Sequence, residues 1–120
     1  MEGNNTKDKL ARALYQLMEQ QRLDKIRIHE ITDLAGLNRQ TFYYHFQDIY
    51  DLAEWMIDTE LFRGIPPMSE CESWQDFLRG IIKAIGAHRE VFLNIYETVP
   101  GRSLRNKIYT YIKDNVNQNL

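Results

Sequence analysis

The sequence predicts an all-α fold. Apolar residues recur at helical spacing in stretch after stretch, none of them alternates with period two, and no Asn-Gly hairpin signal or internal repeat interrupts them. Six glycines and three prolines in 120 residues are too few for a chain of many tight turns. That length holds one domain, or a small domain with part of a second, and excludes two full domains.

The first helix is expected over about residues 7 to 21. Thr6 is an N-cap residue type, and Leu10, Leu14, Leu17 and Met18 follow at i, i+4, i+7 and i+8. A polar link over 21 to 25 leads to Ile28, Ile31, Leu34 and Ala35, the apolar side of a two-turn helix that Gly36 stops. Asn38, a strong N-cap type, opens the next segment, Arg39 to Phe46. Asp48 and Asp51 put acid at the start of a longer helix over about 49 to 63, which the helix macrodipole favours. Leu52, Ala53, Met56 and Ile57 suit its buried side, and Gly64 with Pro66-Pro67 ends it.

Ser73 with Asp76 resembles a capping box ahead of Phe77, Leu78, Ile81, Ile82 and Ile85. Gly86 weakens the far end of that helix. Val91, Phe92, Ile95 and Tyr96 predict a short helix before Pro100-Gly101, and Leu104, Ile108, Tyr111, Ile112 and Val116 a last one. The expected organisation is a helix-turn-helix domain over 1 to 47 and a helical region over 48 to 120, with a linking helix at about 49 to 63 and a boundary loop at 64 to 72.

With 43% hydrophobic, 27% charged and 12% aromatic residues, the chain has the composition of a globular protein able to bury a core. The opening MEGNNTKDK has no apolar h-region and no run of eighteen apolar residues occurs, so neither a signal peptide nor a membrane span is expected, and the reading is cytoplasmic. The lone Cys71 makes no internal disulfide, fitting a reducing compartment. As a thiol sensor it has no neighbouring cation in sequence to lower its pKa. His29, His45 and His88 lack metal-ligand spacing, and no nucleophile-base pair or phosphate loop occurs, so neither a metal, a cofactor nor an enzyme is expected.

The net charge of -2 argues by itself against a nucleic-acid partner. By segment the picture differs. Residues 1 to 47 carry seven Lys/Arg against six Asp/Glu, 48 to 77 one against eight, and 78 to 120 seven against three. The acid sits in one block, most simply a solvated surface, so whole-chain charge averages over surfaces that can meet different partners.

The informative stretch is Ile28 to Phe46, the outline of a helix-turn-helix. Advancing about 100° per residue from Phe42 puts Phe46 about 40° away on one buried stripe; Gln40, Tyr44 and Thr41 fall at about 160°, 200° and 260°, with Tyr43 and His45 on the flanks. The outer arc is thus rich in groups that can contact DNA. Gln40 in the first turn can reach a base edge, since amide side chains pair bidentately with adenine. Thr41 offers a hydroxyl or a methyl. Tyr43, Tyr44 and His45 suit phosphate oxygens, and Asn38 and Arg39 stand at the helix N-terminus, where anions are favoured. Arg27 and His29, at the start of the preceding helix, can clamp a neighbouring phosphate. The same paired tyrosines and short helices also fit a plain helical bundle.

The run Ile31-Thr32-Asp33-Leu34-Ala35-Gly36-Leu37-Asn38-Arg39-Gln40-Thr41-Phe42-Tyr43-Tyr44-His45-Phe46 resembles the signature of the TetR/AcrR family, I-A-x-x-A-G-V-S-x-x-T-F/L-Y-x-H-F, and the resemblance covers roughly residues 6 to 62. It implies a DNA-binding transcriptional regulator, most simply an effector-responsive repressor that binds a palindromic double-stranded operator as a homodimer. By that resemblance Arg39, Gln40 and Thr41 fall where base or phosphate contacts are made, and Tyr43 and His45 on phosphate-contacting positions. Members often carry Lys shortly after the His-Phe pair, where it reaches a phosphate; Asp48 and Ile49 stand there in this chain. Arg27 replaces a usual Ser or Thr cap. The run Phe46 to Trp55 resembles regulators of dihydroxyacetone-kinase operons within the family.

The family's longer C-terminal domain pairs its last two helices across a two-fold axis and encloses a small-molecule inducer. The resemblance implies that this chain stops before those helices. Trp55, Phe62, Met68, Trp74, Phe92 and Tyr96 are the candidate lining of an apolar effector cavity, although aromatic and Met residues at helical spacing also fit plain core packing. The alternative function on the same scaffold is a protein-interaction coregulator that has lost DNA binding, favoured by the missing Lys and the acidic fourth helix.

Overall fold

Helical periodicity without strand alternation leaves the backbone one economical way to satisfy its hydrogen bonds, and the computed structural model is all-α, with no strand among the described residues. It describes the backbone of residues 2–98 and 101–119 and the side chains of 5–98 and 104–119. The helices are α1 (Glu2–Met18), α2 (Ile28–Ala35), α3 (Arg39–His45), α4 (Ile49–Met56), α5 (Trp74–Ala87), α6 (Arg89–Thr98) and α7 (Gly101–Gln118). No described helix is long and apolar enough to cross a membrane. By contacts the chain divides into two compact units, Met1–Glu60 and Leu61–Leu120.

In the first unit, α1 buries Leu10, Leu14 and Met18 against α2 and α4. It starts earlier than expected, so Thr6 lies inside the helix and is not its cap. Polar residues without proline cost only tenths of a kcal/mol each in a helix, too little to break one. It ends at Met18, and a 3₁₀ turn at Leu23–Lys25 that no periodicity announces drops Leu23 and Ile26 into the core. Burial of Ile31, Phe42, Phe46, Leu52 and Met56 closes that core from α2, α3 and α4.

The expected helix over 49–63 is regular only to Met56, after which the chain widens into a π-helical turn, Ile57–Leu61. The Thr59 hydroxyl donates to the Trp55 carbonyl at 2.7 Å, drawing on an acceptor of the helical ladder; such back-bonding distorts helices locally.

In the second unit, Ser73 caps α5 by accepting the Asp76 N–H at 3.2 Å, and α5 buries Phe77 and Ile81. Val91, Phe92 and Ile95 are the buried side of α6. Pro100, read as part of the break before α7, lies outside the described residues. On α7 the Tyr111 ring lies 4.9 Å from Phe62 and 6.0 Å from Phe77, and its hydroxyl donates to the Ile65 carbonyl at 3.3 Å. Burial pushes that hydroxyl's pKa up. Asn115, 9% exposed, accepts the Met68 N–H at 3.1 Å and donates to the Tyr111 carbonyl at 2.9 Å, so its buried amide is satisfied at both ends. These bonds seat the loop after the diproline on α7.

Candidate nucleic-acid interface

The turn between α2 and α3 is built by Gly36, which sits in the left-handed region at φ 71° and ψ 34°. Its N–H reaches the Asp33 carbonyl at 3.3 Å and the Leu37 N–H reaches Thr32 at 2.9 Å, a closure that satisfies the last carbonyls of α2 and turns the chain within three residues. Asn38 then starts α3. Its Oδ1 accepts the Thr41 N–H at 2.8 Å and the Thr41 hydroxyl at 2.9 Å. The Thr41 proton is therefore turned toward Asn38, so the hydroxyl keeps its lone pairs as acceptors and has no second proton to donate to a phosphate.

Two phenylalanines hold α3 down. Phe42 is fully buried and Phe46 is 4% exposed. Tyr43 packs edge-on against Phe42, with centroids 5.5 Å apart and planes at 86°, yet stays 52% exposed. Tyr44 is 84% exposed and meets the His45 ring edge-on at 5.0 Å. Arg39 and Gln40 are exposed in the first turn, and Thr41 and His45 are half-buried. The sequence-predicted residues Asn38, Arg39, Gln40, Thr41, Tyr43, Tyr44 and His45 are thus carried by one short helix, whose polar groups stay accessible because Phe42 and Phe46 anchor its other side.

Arg27 and His29 flank the start of α2, both exposed. The Arg27 side chain does not cap the helix. Glu30 supplies the bond instead, accepting the Arg27 N–H at 3.0 Å while also accepting from the Gln21 amide at 3.1 Å. The Gln21 bond first, and the Arg27 N–H second, hold the Glu30 carboxyl below the usual carboxylate range. Arg27 and Arg39 form no ion pair with any described residue, so both guanidinium groups are available to an outside anion.

The N-terminus of α4 is unfavourable to such an anion. Asp48 accepts the Asp51 N–H at 2.8 Å and Asp51 accepts the Gln47 N–H at 3.0 Å, so two of the chain's own carboxylates already stand at the helix start, where a phosphate would meet like charge. Sequence reasoning overlooked a residue at this corner. The Lys7 ammonium lies 5.8 Å from the centroid of Phe46 and 5.9 Å from that of Trp55, two rings that meet at 6.0 Å and 65°. No local pattern pairs residue 7 with residues 46 and 55; only the packing of α1 against α4 does.

In the second unit a groove of about 490 Å³ is lined by Tyr96, Leu104, Arg105, Ile108, Tyr109 and Ile112. Of the candidate effector residues in that unit only Tyr96 lines it. Phe62 and Phe92 are buried, Trp74 is 56% exposed at the start of α5, and Met68 is half-buried beside Asn115. Trp55 belongs to the first unit, against Phe46. Apart from Tyr96 on α6, the lining that the structure provides comes from α7, whose apolar side reads in sequence as ordinary helical periodicity. Cys71 is half-buried, with its thiol 3.5 Å from the Pro67 carbonyl, and no described group of three His, Cys, Asp or Glu side chains could hold a metal ion.

No protein-family model matches the chain. Over 87 residues, 72% of this chain, it is 25% identical to the HTH-type dhaKLM operon transcriptional activator DhaS of Lactococcus lactis subsp. lactis (strain IL1403). The match spans 46% of that protein, so the chain corresponds to about half the length of its relative. The likeness supports a transcription regulator of helix-turn-helix type in general.

Proposed function

We propose that the chain is a sequence-reading DNA-binding regulator of TetR/AcrR type, in which α3 enters the major groove. The observation that carries this reading is the division of α3 into a buried Phe42–Phe46 side and an opposite arc of Gln40, Tyr43 and Tyr44 left exposed, directly after a glycine turn. Gln40 reads a base edge; Arg39, Tyr43, Tyr44 and His45 hold phosphates, and Arg27 and His29 grip the neighbouring backbone. A homodimer would place two such helices about 34 Å apart, matching the half-sites of a palindromic operator.

A small-molecule effector fits the second unit. The groove on α6 and α7 is of ligand size and mostly apolar, with Arg105 as its charged donor, which suits an apolar compound bearing an anionic or acceptor group. An effector preferring a DNA-incompetent geometry lowers operator affinity by its differential affinity for the two states. Operator occupancy is proposed to repress; the Lactococcus relative is named an activator, and a reporter fused to the operator decides the sign.

The test is selection of bound duplexes from a random pool at two salt concentrations. Enrichment of a palindromic motif is expected. Failure to enrich any sequence, together with capture of a partner protein, would favour the coregulator reading, which has the self-capped acidic start of α4 in its support.

A further inference from the structure

At the corner where α3 gives way to α4, the carboxylates of Asp48 and Asp51 take the Asp51 and Gln47 N–H groups and set negative charge at the helix start, a poor place for a phosphate. The same corner holds a lysine from the other end of the first unit. We propose that Lys7 is a DNA-backbone anchor, its ammonium donating to a phosphate beside the C-terminal end of α3; the proposal rests on the DNA-binding reading above.

Three features of Lys7 carry it. Its ammonium faces two aromatic rings, Phe46 at 5.8 Å and Trp55 at 5.9 Å, and is paired with no carboxylate among the described residues. Ring faces attract the cation without consuming its three N–H donors, so the charge is held in one place and still able to donate. Lysine ordinarily loses much rotamer freedom when it binds, and here part of that ordering is already present in the free protein. Finally, the Phe46 ring that Lys7 faces is also approached by the His45 ring, at 6.3 Å, so one buried ring has both an imidazole from α3 and an ammonium from α1 near it. The arrangement makes the contact depend on docking of α1 on α4, which joins the phosphate grip to the integrity of the first unit's core.

A lysine that only glues α1 to the rings leaves a different signature from one that neutralises a phosphate. Each neutralised phosphate adds about 0.9 to the slope of log affinity against log salt. The full chain, Lys7→Gln and Lys7→Arg are titrated with a mixed-sequence duplex and with the duplex recovered by selection, from 0.05 to 0.2 M salt, after thermal melts of each variant. The expected result is a slope smaller by about 1 for Lys7→Gln on both duplexes, so that the wild type loses about 3- to 4-fold more affinity than this variant across that range. Lys7→Arg retains the wild-type slope. Equal slopes for all three proteins, even with Lys7→Gln binding more weakly, overturn the proposal and leave Lys7 as packing alone. Absence of wild-type binding to either duplex would instead bring down the DNA-binding reading and this anchor with it, so the two failures are told apart in one titration.

Discussion

Asn38 holds Thr41 twice, through its backbone N–H at 2.8 Å and its hydroxyl at 2.9 Å. One carboxamide oxygen thereby starts the reading helix and fixes the rotamer of a residue on its outer arc. Asn38→Ala is expected to destabilise the protein by about 1 kcal/mol, the ordinary cost of losing an N-cap, measured by chemical denaturation. Thr41→Val removes the hydroxyl alone and should cost less, because the backbone cap bond remains. Equal stability of Asn38→Ala and wild type would contradict the capping role.

Among the described residues Gly36 is the one in the left-handed region. Space is not the obstacle, since an added Cβ would meet nothing within 4 Å. The cost of Gly36→Ala is conformational, about 1–2 kcal/mol, and should appear as a lower midpoint in urea with an unchanged slope. Duplex affinity measured well below the midpoint should fall only slightly if the turn re-forms.

Glu30 ties the start of α2 to Gln21 and to the Arg27 N–H, and those bonds depress its pKa. A depressed carboxylate contributes stability that is fully present above its unfolded-state value and is lost as pH falls through the folded-state one. The stability gap between wild type and Glu30→Ala should therefore be full at neutral pH and should close as pH drops through and below the usual Glu range near about 4.3. A gap that widens on acidification would refute the assignment.

Tyr44, at 84% exposed, touches little besides His45. Tyr44→Ala should change stability by no more than about 0.5 kcal/mol, as surface substitutions do, while weakening binding to every duplex alike. Gln40→Ala should act differently, costing about 1–3 kcal/mol against the preferred base and relaxing preference at one position of each half-site. A Gln40→Ala protein with unaltered sequence preference removes the base contact from the account.

Much of the first unit was legible because its signals are local. Gly36 as a stop, Asn38 as a cap and Phe42 with Phe46 on one stripe each follow from neighbouring residues, and the bounds of α2 fall where the spacing puts them. What escaped was set by partners distant in sequence or by competition within the backbone. Lys7 reaches Phe46 and Trp55 only through tertiary packing, and Glu30 takes over the cap that Arg27 cannot provide. The end of α4 at Met56 is decided by the π turn after it, within a run whose apolar spacing reads as continuous helix. In the second unit the aromatic residues that looked like a cavity divide between buried core, as with Phe62 and Phe92, and exposed surface, as with Trp74, because periodicity marks an apolar side without saying what covers it.

The central claim, that the outer arc of α3 reads and grips DNA, is tested most directly by the affinity of the triple variant Gln40→Ala, Tyr43→Phe, His45→Ala for the duplex selected by the wild type. Tyr43→Phe keeps the ring that packs on Phe42, and a thermal melt verifies the fold. Three lost contacts at about 1–1.5 kcal/mol each predict a loss of affinity of at least about 100-fold. A folded triple variant that binds this duplex as tightly as the wild type would contradict the account.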